Sequence, residues 1–163
     1  MLKKNCIEIL RRGEAEPIGG RQKNATTGIM YTIGRYNSKL YFRIDKIDGG
    51  AMIDRRWIPL DAFVDVLYDW YHNERVESSK FLFAKGVNMG NTNKSAFYVA
   101  IFREERLLEV VHTQSNPEHP QSGYKSGPGK IPIEAYLERM LKKTPLKTIE
   151  IVPERDLVLH KAA

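Results

Sequence analysis

The sequence predicts an α+β protein made of two tandem units, each an antiparallel β-sheet followed by one α-helix, the pair related by a pseudo-two-fold. Three observations carry that expectation. Short alternating stretches rich in β-branched and aromatic residues recur between Asn, Gly and Pro clusters. Two stretches with helical spacing of apolar residues each follow such a strand. The two helices also open alike: Ile58-Pro59-Leu60-Asp61-Ala62-Phe63 stands against Ile131-Pro132-Ile133-Glu134-Ala135-Tyr136.

Taken in order, residues 1–27 read as an N-terminal arm. A short apolar opening, Cys6 to Leu10, gives way to "RRGEAEPIGGRQKNATTG", Arg11 to Gly28, polar and glycine-containing with no sustained period. The first unit spans 28–73. "IMYTIGRY" and "KLYFRIDKI" alternate on either side of Asn37-Ser38, which predicts a hairpin. Alternation puts Leu40, Phe42 and Ile44 on an apolar face and Tyr41, Arg43 and Asp45 on a mixed one. After Gly49-Gly50, "AMIDRRWIPL" reads as a third strand. The helix follows, with Phe63, Val66, Leu67 and Trp70 as its apolar stripe and Asp61 at its N-terminus, where a carboxylate meets unbonded backbone N–H groups.

The second unit spans 80–143. "KFLFAKGVNM", "AFYVAIFRE" and "RLLEVVHTQ" are expected as strands, and "SNPEHPQSGYKSGPG", Ser115 to Gly129, as a long loop. A short strand at Ile131 to Ile133 leads into a helix from Glu134 to Lys143, buried through Tyr136, Leu137, Met140 and Leu141. "LKTIEIV" is a final strand within a C-terminal segment, 144–163. "SKLYFRI", Ser38 to Ile44, also aligns with "SAFYVAI", Ser95 to Ile101, which makes Tyr41 and Tyr98 equivalent strand residues and supports duplication within a single domain, 1–163.

Composition narrows the functional classes. A chain of 163 residues with 42% hydrophobic content suffices for one buried core. No apolar run approaches the ~18 residues that span a bilayer, so no membrane partner is expected and a cytoplasmic location is. Cys6 is the single cysteine, which rules out an intrachain disulfide and a thiolate metal cluster. The histidines, His72, His112, His119 and His160, lack zinc-ligand spacing, so neither metal nor cofactor is expected. The net charge of +6 lies wholly in the first 60 residues, which hold 12 Lys+Arg against 6 Asp+Glu. Such asymmetry points to an anionic partner.

The junctions "RRWIPLDAF" and "GKIPIEAY", each joining strands to a helix, resemble those of the Whirly proteins and of the related coactivator positive cofactor four, over about Gly28 to Val152. The resemblance implies binding of single-stranded DNA, or of guide RNA, across strands bearing aromatic and basic side chains. A second copy of the chain is a further partner to consider. The lysine-glycine-lysine strand motif of the plant members is replaced here by "TTGIMYTIGRY".

The residues alone support the same chemistry, since single strands are held by aromatic stacking and a basic track for phosphates. Tyr31, Arg35, Tyr36, Lys39, Tyr41, Arg43 and Lys46, then Arg55, Arg56 and Trp57, interleave those two types. Lys94 and Tyr98 join them from the second unit. The expected function is therefore binding of single-stranded nucleic acid, with a role in transcription or DNA maintenance. Two alternatives stand beside it: a divalent-metal nuclease using Asp45, Asp48 and Asp54, and a protein-interaction module with a basic face. "GVNMGNTNKS" lacks the consecutive Gly-Lys-Ser of a phosphate loop, and "GPGK" reads as a turn.

Overall fold

The computed structural model describes residues 5–17, 28–47, 55–73, 77–78, 92–112 and 124–158. Its elements run β1 (Cys6–Ala15), β2 (Ile29–Tyr36), β3 (Lys39–Lys46), β4 (Ile58–Pro59), α1 (Asp61–Asn73), β5 (Glu77–Ser78), α2 (Thr92–Glu104), β6 (Leu108–His112), β7 (Tyr124–Pro128), α3 (Ile133–Leu141), β8 (Lys147–Glu150) and α4 (Pro153–Asp156). One sheet has five strands in the order β4-β3-β2-β1-β8, every neighbouring pair antiparallel. A smaller antiparallel sheet has the order β5-β7-β6. The class is α+β, as expected; the two tandem units are not seen.

The β2–β3 hairpin forms as predicted. Asn37 and Ser38 sit at φ of 50° and 62°, the left-handed pair that a two-residue type I′ connection requires. Alternation then sorts the faces. Leu40, Phe42 and Ile44 are buried in the main core with α1, α2 and α3, while Tyr41 packs on the opposite face against Ile7, Ile9, Trp57, Ile151 and Leu157.

The expected arm is in part a strand. Arg11 to Ala15 continue β1, which is interior to the sheet, paired with β2 on one side and β8 on the other. Its alternation is hidden by a bulge between Ile9 and Arg11. Ile7 and Ile9 face the smaller cluster, Leu10 enters the main core, and the extra residue puts Arg11 on the helix side as well. Gly13, which read as loop punctuation, is a packing position: a Cβ there would lie 2.5 Å from Cζ and Oη of Tyr31, whose ring crosses it.

The larger correction is α2. "AFYVAIFRE" is helical, so Ser95 to Ile101 is no counterpart of the strand Ser38 to Ile44, and Tyr98 is not equivalent to Tyr41. Tyr98, Val99, Ala100, Ile101 and Phe102 are all buried. A helix enclosed on every side shows no polar stripe, and its short apolar run looks like that of a buried strand. Phe102 is where the layers meet, edge to face with Phe42 of β3 at 5.5 Å and with Phe63 of α1 at 5.2 Å.

Both proline-containing segments do lead into helices. α1 buries Phe63, Val66, Leu67 and Trp70, the predicted stripe, and its Asp61 lies 3.2 Å from Lys39 Nζ. α3 begins at Ile133, with no strand before it, and its Glu134 meets His72 of α1 at 2.9 Å. Within the described part of the expected third strand Ile58–Pro59 is β4 and Trp57 bridges Leu157 in parallel, and within the expected loop Tyr124–Pro128 is β7. The tail packs as far as it is described: Leu157 and Val158 are buried, with Trp57 N–H donating to Asp156 O at 2.7 Å. The stretches 51–54, 79–91 and 113–123 lie outside the described residues, and with them "KFLFAKGVNM" and the start of the expected loop.

Phe63 joins α1 to α2 at 1% exposure. Phe63→Ala is expected to lose about 3–5 kcal/mol of stability in a urea titration, because the cavity opens between two helices that cannot collapse independently. A loss under about 1 kcal/mol would show that the helix layer does not depend on this contact.

Candidate functional site

The side chains with the most chemistry in this fold gather around Glu105, the residue that follows α2. It is 5% exposed, and three donors from three elements converge on its carboxylate. Tyr31 Oη of β2 donates at 2.5 Å and Tyr136 Oη of α3 at 2.8 Å, while Arg11 Nε of β1 lies 3.0 Å from Oε2 and 3.3 Å from Oε1. A carboxylate removed from water is tolerable only when its lone pairs are met in this way. The bulge places Arg11 within reach, and the absence of a side chain at Gly13 lets Tyr31 cross β1.

The helix before it ends in a Schellman arrangement. Arg106 N–H donates to Arg103 O at 3.0 Å and Leu107 N–H to Phe102 O at 2.9 Å. The left-handed position is taken by Arg106 at φ 66°, where glycine would be the low-strain choice. The next segment pins this turn: Ile131 N–H donates to Arg106 O at 3.1 Å, and a Cβ on Gly129 would meet that oxygen at 2.3 Å.

Above the buried carboxylate is an open cleft of about 310 Å³, whose charged lining is Arg11, Glu104, Glu105, Arg106, Arg139 and Lys143. A second cleft of about 320 Å³ is lined by Arg103, Arg106, Lys130 and Glu109 with Leu108 and Val110. Arg106 belongs to both. Six cationic side chains thus face two adjoining clefts, against three carboxylates of which one is buried and bonded. Burial pulls Arg11 down, but the charge of Glu105 and its hydrogen bonds prevail and raise it, so the guanidinium stays charged.

Of the residues singled out from the sequence, Tyr31 belongs to this cluster, as a buried donor to Glu105, and the others that the structure describes do not line the clefts. Tyr31, Trp57 and Tyr98 are each 1% exposed, so none can stack on a base. Arg35 is structural: it grips Glu8 through Nε and Nη2, both at 3.1 Å, and donates Nη1 to Leu141 O at 2.7 Å and Lys143 O at 3.1 Å, tying the end of α3 to the sheet. Arg43 lies over the Trp57 ring at 4.5 Å and bonds Asp45 at 2.8 Å. Lys39 pairs with Asp61. Tyr36 and Tyr41 keep partial exposure, edge to face at 6.4 Å, on the sheet face opposite the clefts, where burial raises Tyr41. Lys46, Arg55 and Arg56 are exposed, and the Lys94 side chain lies outside the described ones.

Of the carboxylates weighed for a nuclease, Asp45 accepts from Thr32 and Arg43, and Asp48 and Asp54 lie outside the described residues. Among the described residues no group of three or more His, Cys, Asp and Glu is placed to hold a metal ion, and no helix is long and apolar enough to cross a membrane.

Sequence reasoning missed Arg11, Arg103, Glu105, Arg106, Lys130, Arg139 and Lys143. The signal that could have found them was "FREER", Phe102 to Arg106, had the preceding run been read as a buried helix ending in cations. Compared with protein-family models, curated proteins and solved structures, the chain finds no match.

Burial, then the charge of Glu105 and its hydrogen bonds, push Tyr31 and Tyr136 well above the ordinary tyrosine value of 10.0. The unfolded chain releases these protons near pH 10 while the folded chain keeps them, so above that pH the unfolded state binds fewer. Their stabilisation is therefore complete below about pH 10 and is lost as pH rises further. Urea midpoints measured from pH 8 to 11 should fall at the alkaline end, and less steeply in Tyr31→Phe and Tyr136→Phe. Each variant should also lose about 1–3 kcal/mol at neutral pH by withdrawing a donor from Glu105. Unchanged midpoints would show that Glu105 does not rely on the phenols.

Proposed function

We propose that this protein binds single-stranded nucleic acid, gripping its phosphates along the two cationic clefts. The observation that carries the reading is the set of Arg11, Arg103, Arg106, Lys130, Arg139 and Lys143 around clefts that meet at Arg106. Phosphate contact supplies most nucleic-acid affinity through release of counterions, and guanidinium groups match phosphate oxygens with paired N–H donors.

Backbone strain supports the same reading. A non-glycine residue held in the left-handed region costs on the order of 1–3 kcal/mol, and such positions concentrate where a side chain has a functional role. Arg106 occupies one of these positions and is the residue both clefts share.

Two measurements test this. Affinity for a labelled single strand should fall linearly with the logarithm of salt concentration, with a slope of about −2 if three phosphates are neutralised, and duplex should bind more weakly. Salt-independent binding, or preference for duplex, would sink the reading. Arg106→Gly separates function from stability by moving them in opposite directions: it should stabilise the fold by about 1 kcal/mol, relieving the left-handed strain, while weakening strand binding and flattening the salt slope by about 0.7. A variant that is more stable and binds equally well would remove Arg106 from the interface.

A further inference from the structure

The first cleft differs from the second in construction, and the difference bears on which part of a nucleic acid it receives. The Arg11 guanidinium is held through Nε by a carboxylate that is itself fixed by two tyrosine hydroxyls, yet 40% of the Arg11 side chain remains exposed in the cleft lining. Maintaining such a buried carboxylate is costly, and an apolar residue of similar volume would commonly serve stability as well. Holding a guanidinium in one orientation is what this arrangement achieves that an apolar contact would not.

The remaining cations reach the same cleft from different elements: Arg106 from the strained turn after α2, Arg139 from α3, where it lies 5.8 Å from the Tyr136 ring, and Lys143 just beyond α3 on backbone that Arg35 holds. Arg11 and Glu105 offset one another. Arg106, Arg139 and Lys143 then face only Glu104, which leaves a surplus of about two positive charges. An internal phosphodiester carries one negative charge, whereas a terminal phosphomonoester carries about −1.5 to −2 at neutral pH and three strong acceptor oxygens.

We propose that this cleft is a terminal-phosphate pocket, in which Arg11, Arg106, Arg139 and Lys143 receive the phosphomonoester at the end of a strand and Glu105 acts as a positioning residue through Arg11. The inference rests on the nucleic-acid reading above and adds an end preference to it. The second cleft, on Arg103 and Lys130, then carries the adjoining phosphodiesters, and Arg106 lies at the junction.

The test uses the full chain and one labelled single-stranded oligonucleotide in three forms: 5′-phosphorylated, 3′-phosphorylated and bearing hydroxyls at both ends, with inorganic phosphate as competitor. One phosphorylated form should bind about tenfold tighter than the unphosphorylated strand, the worth of one further charge-assisted hydrogen bond. Arg11→Lys and Arg139→Gln should bring that ratio towards one, whereas Arg103→Gln should weaken all three forms and preserve it. Competition by inorganic phosphate should abolish the preference before it displaces the strand. Glu105→Gln distinguishes positioning from simple charge. Loss of a nearby carboxylate would by itself strengthen binding of every anion, whereas loss of the Arg11 anchor should reduce the phosphate ratio, in parallel with Arg11→Lys. Equal binding of all three forms would overturn the end pocket and leave the nucleic-acid reading standing, and absence of binding by any form would overturn both. A Glu105→Gln protein with a raised or unchanged ratio would remove Glu105 from the positioning role.

Discussion

Glu105 is the constraint around which the rest of this molecule is arranged. A buried carboxylate must have its lone pairs satisfied, and here the three donors come from β1, β2 and α3, the two strand donors lying 94 and 74 residues before Glu105 in the chain. Meeting that requirement dictates local features that otherwise look arbitrary. The bulge in β1 turns Arg11 to the helix side, Gly13 leaves room for the Tyr31 ring, and α3 lies where Tyr136 reaches the carboxylate. The network therefore acts as a cross-brace between the sheet and the helices, and it stands directly beneath the cationic cleft.

The hydrophobic core holds this brace in place without specifying it. Phe102 packs against Phe42 and Phe63, so α2 is clamped between the sheet and α1, and its C-terminal end is delivered to a defined point above β1 and β2. Apolar burial is non-directional and would tolerate a small rotation or slide of α2. Hydrogen bonds to Glu105 would not, because their geometry fails steeply with angle and distance. The two kinds of interaction thus have separate roles, in which dispersion and the hydrophobic effect supply stability and the polar cluster supplies register.

The two faces of the five-stranded sheet have different uses. On the helix side lie the main core, the brace and the clefts. On the other side Trp57 packs with Ile7, Ile9, Ile151 and Leu157, and Arg43 covers its ring, so much of the aromatic and basic content of the β2–β3 hairpin is committed to closing a second small core. An aromatic residue next to an arginine in sequence is as compatible with such a lid as with a nucleic-acid platform, and burial decides between the two. The cations that line the two clefts come instead from β1, from the end of α2 and the turn after it, and from α3 and its flanks.

The sequence by itself determined the elements in which apolar and polar residues recur with a clear contrast. The β2–β3 hairpin, the α1 stripe of Phe63, Val66, Leu67 and Trp70, the buried face of α3 and the strands β6 and β8 were legible because their apolar residues recur with period 2 or 3.6 between turn residues. Tertiary structure alone decided the elements without that contrast. α2 is enclosed through Tyr98 to Phe102 and reads as a strand, and β1 loses its alternation at the bulge and carries charge where it faces Glu105. The site was illegible for the same reason. Arg11 and Glu105 are 94 residues apart, and no local pattern records that one will lie over the other, because their pairing is set by the desolvation of a carboxylate in a core that exists only once the chain has folded.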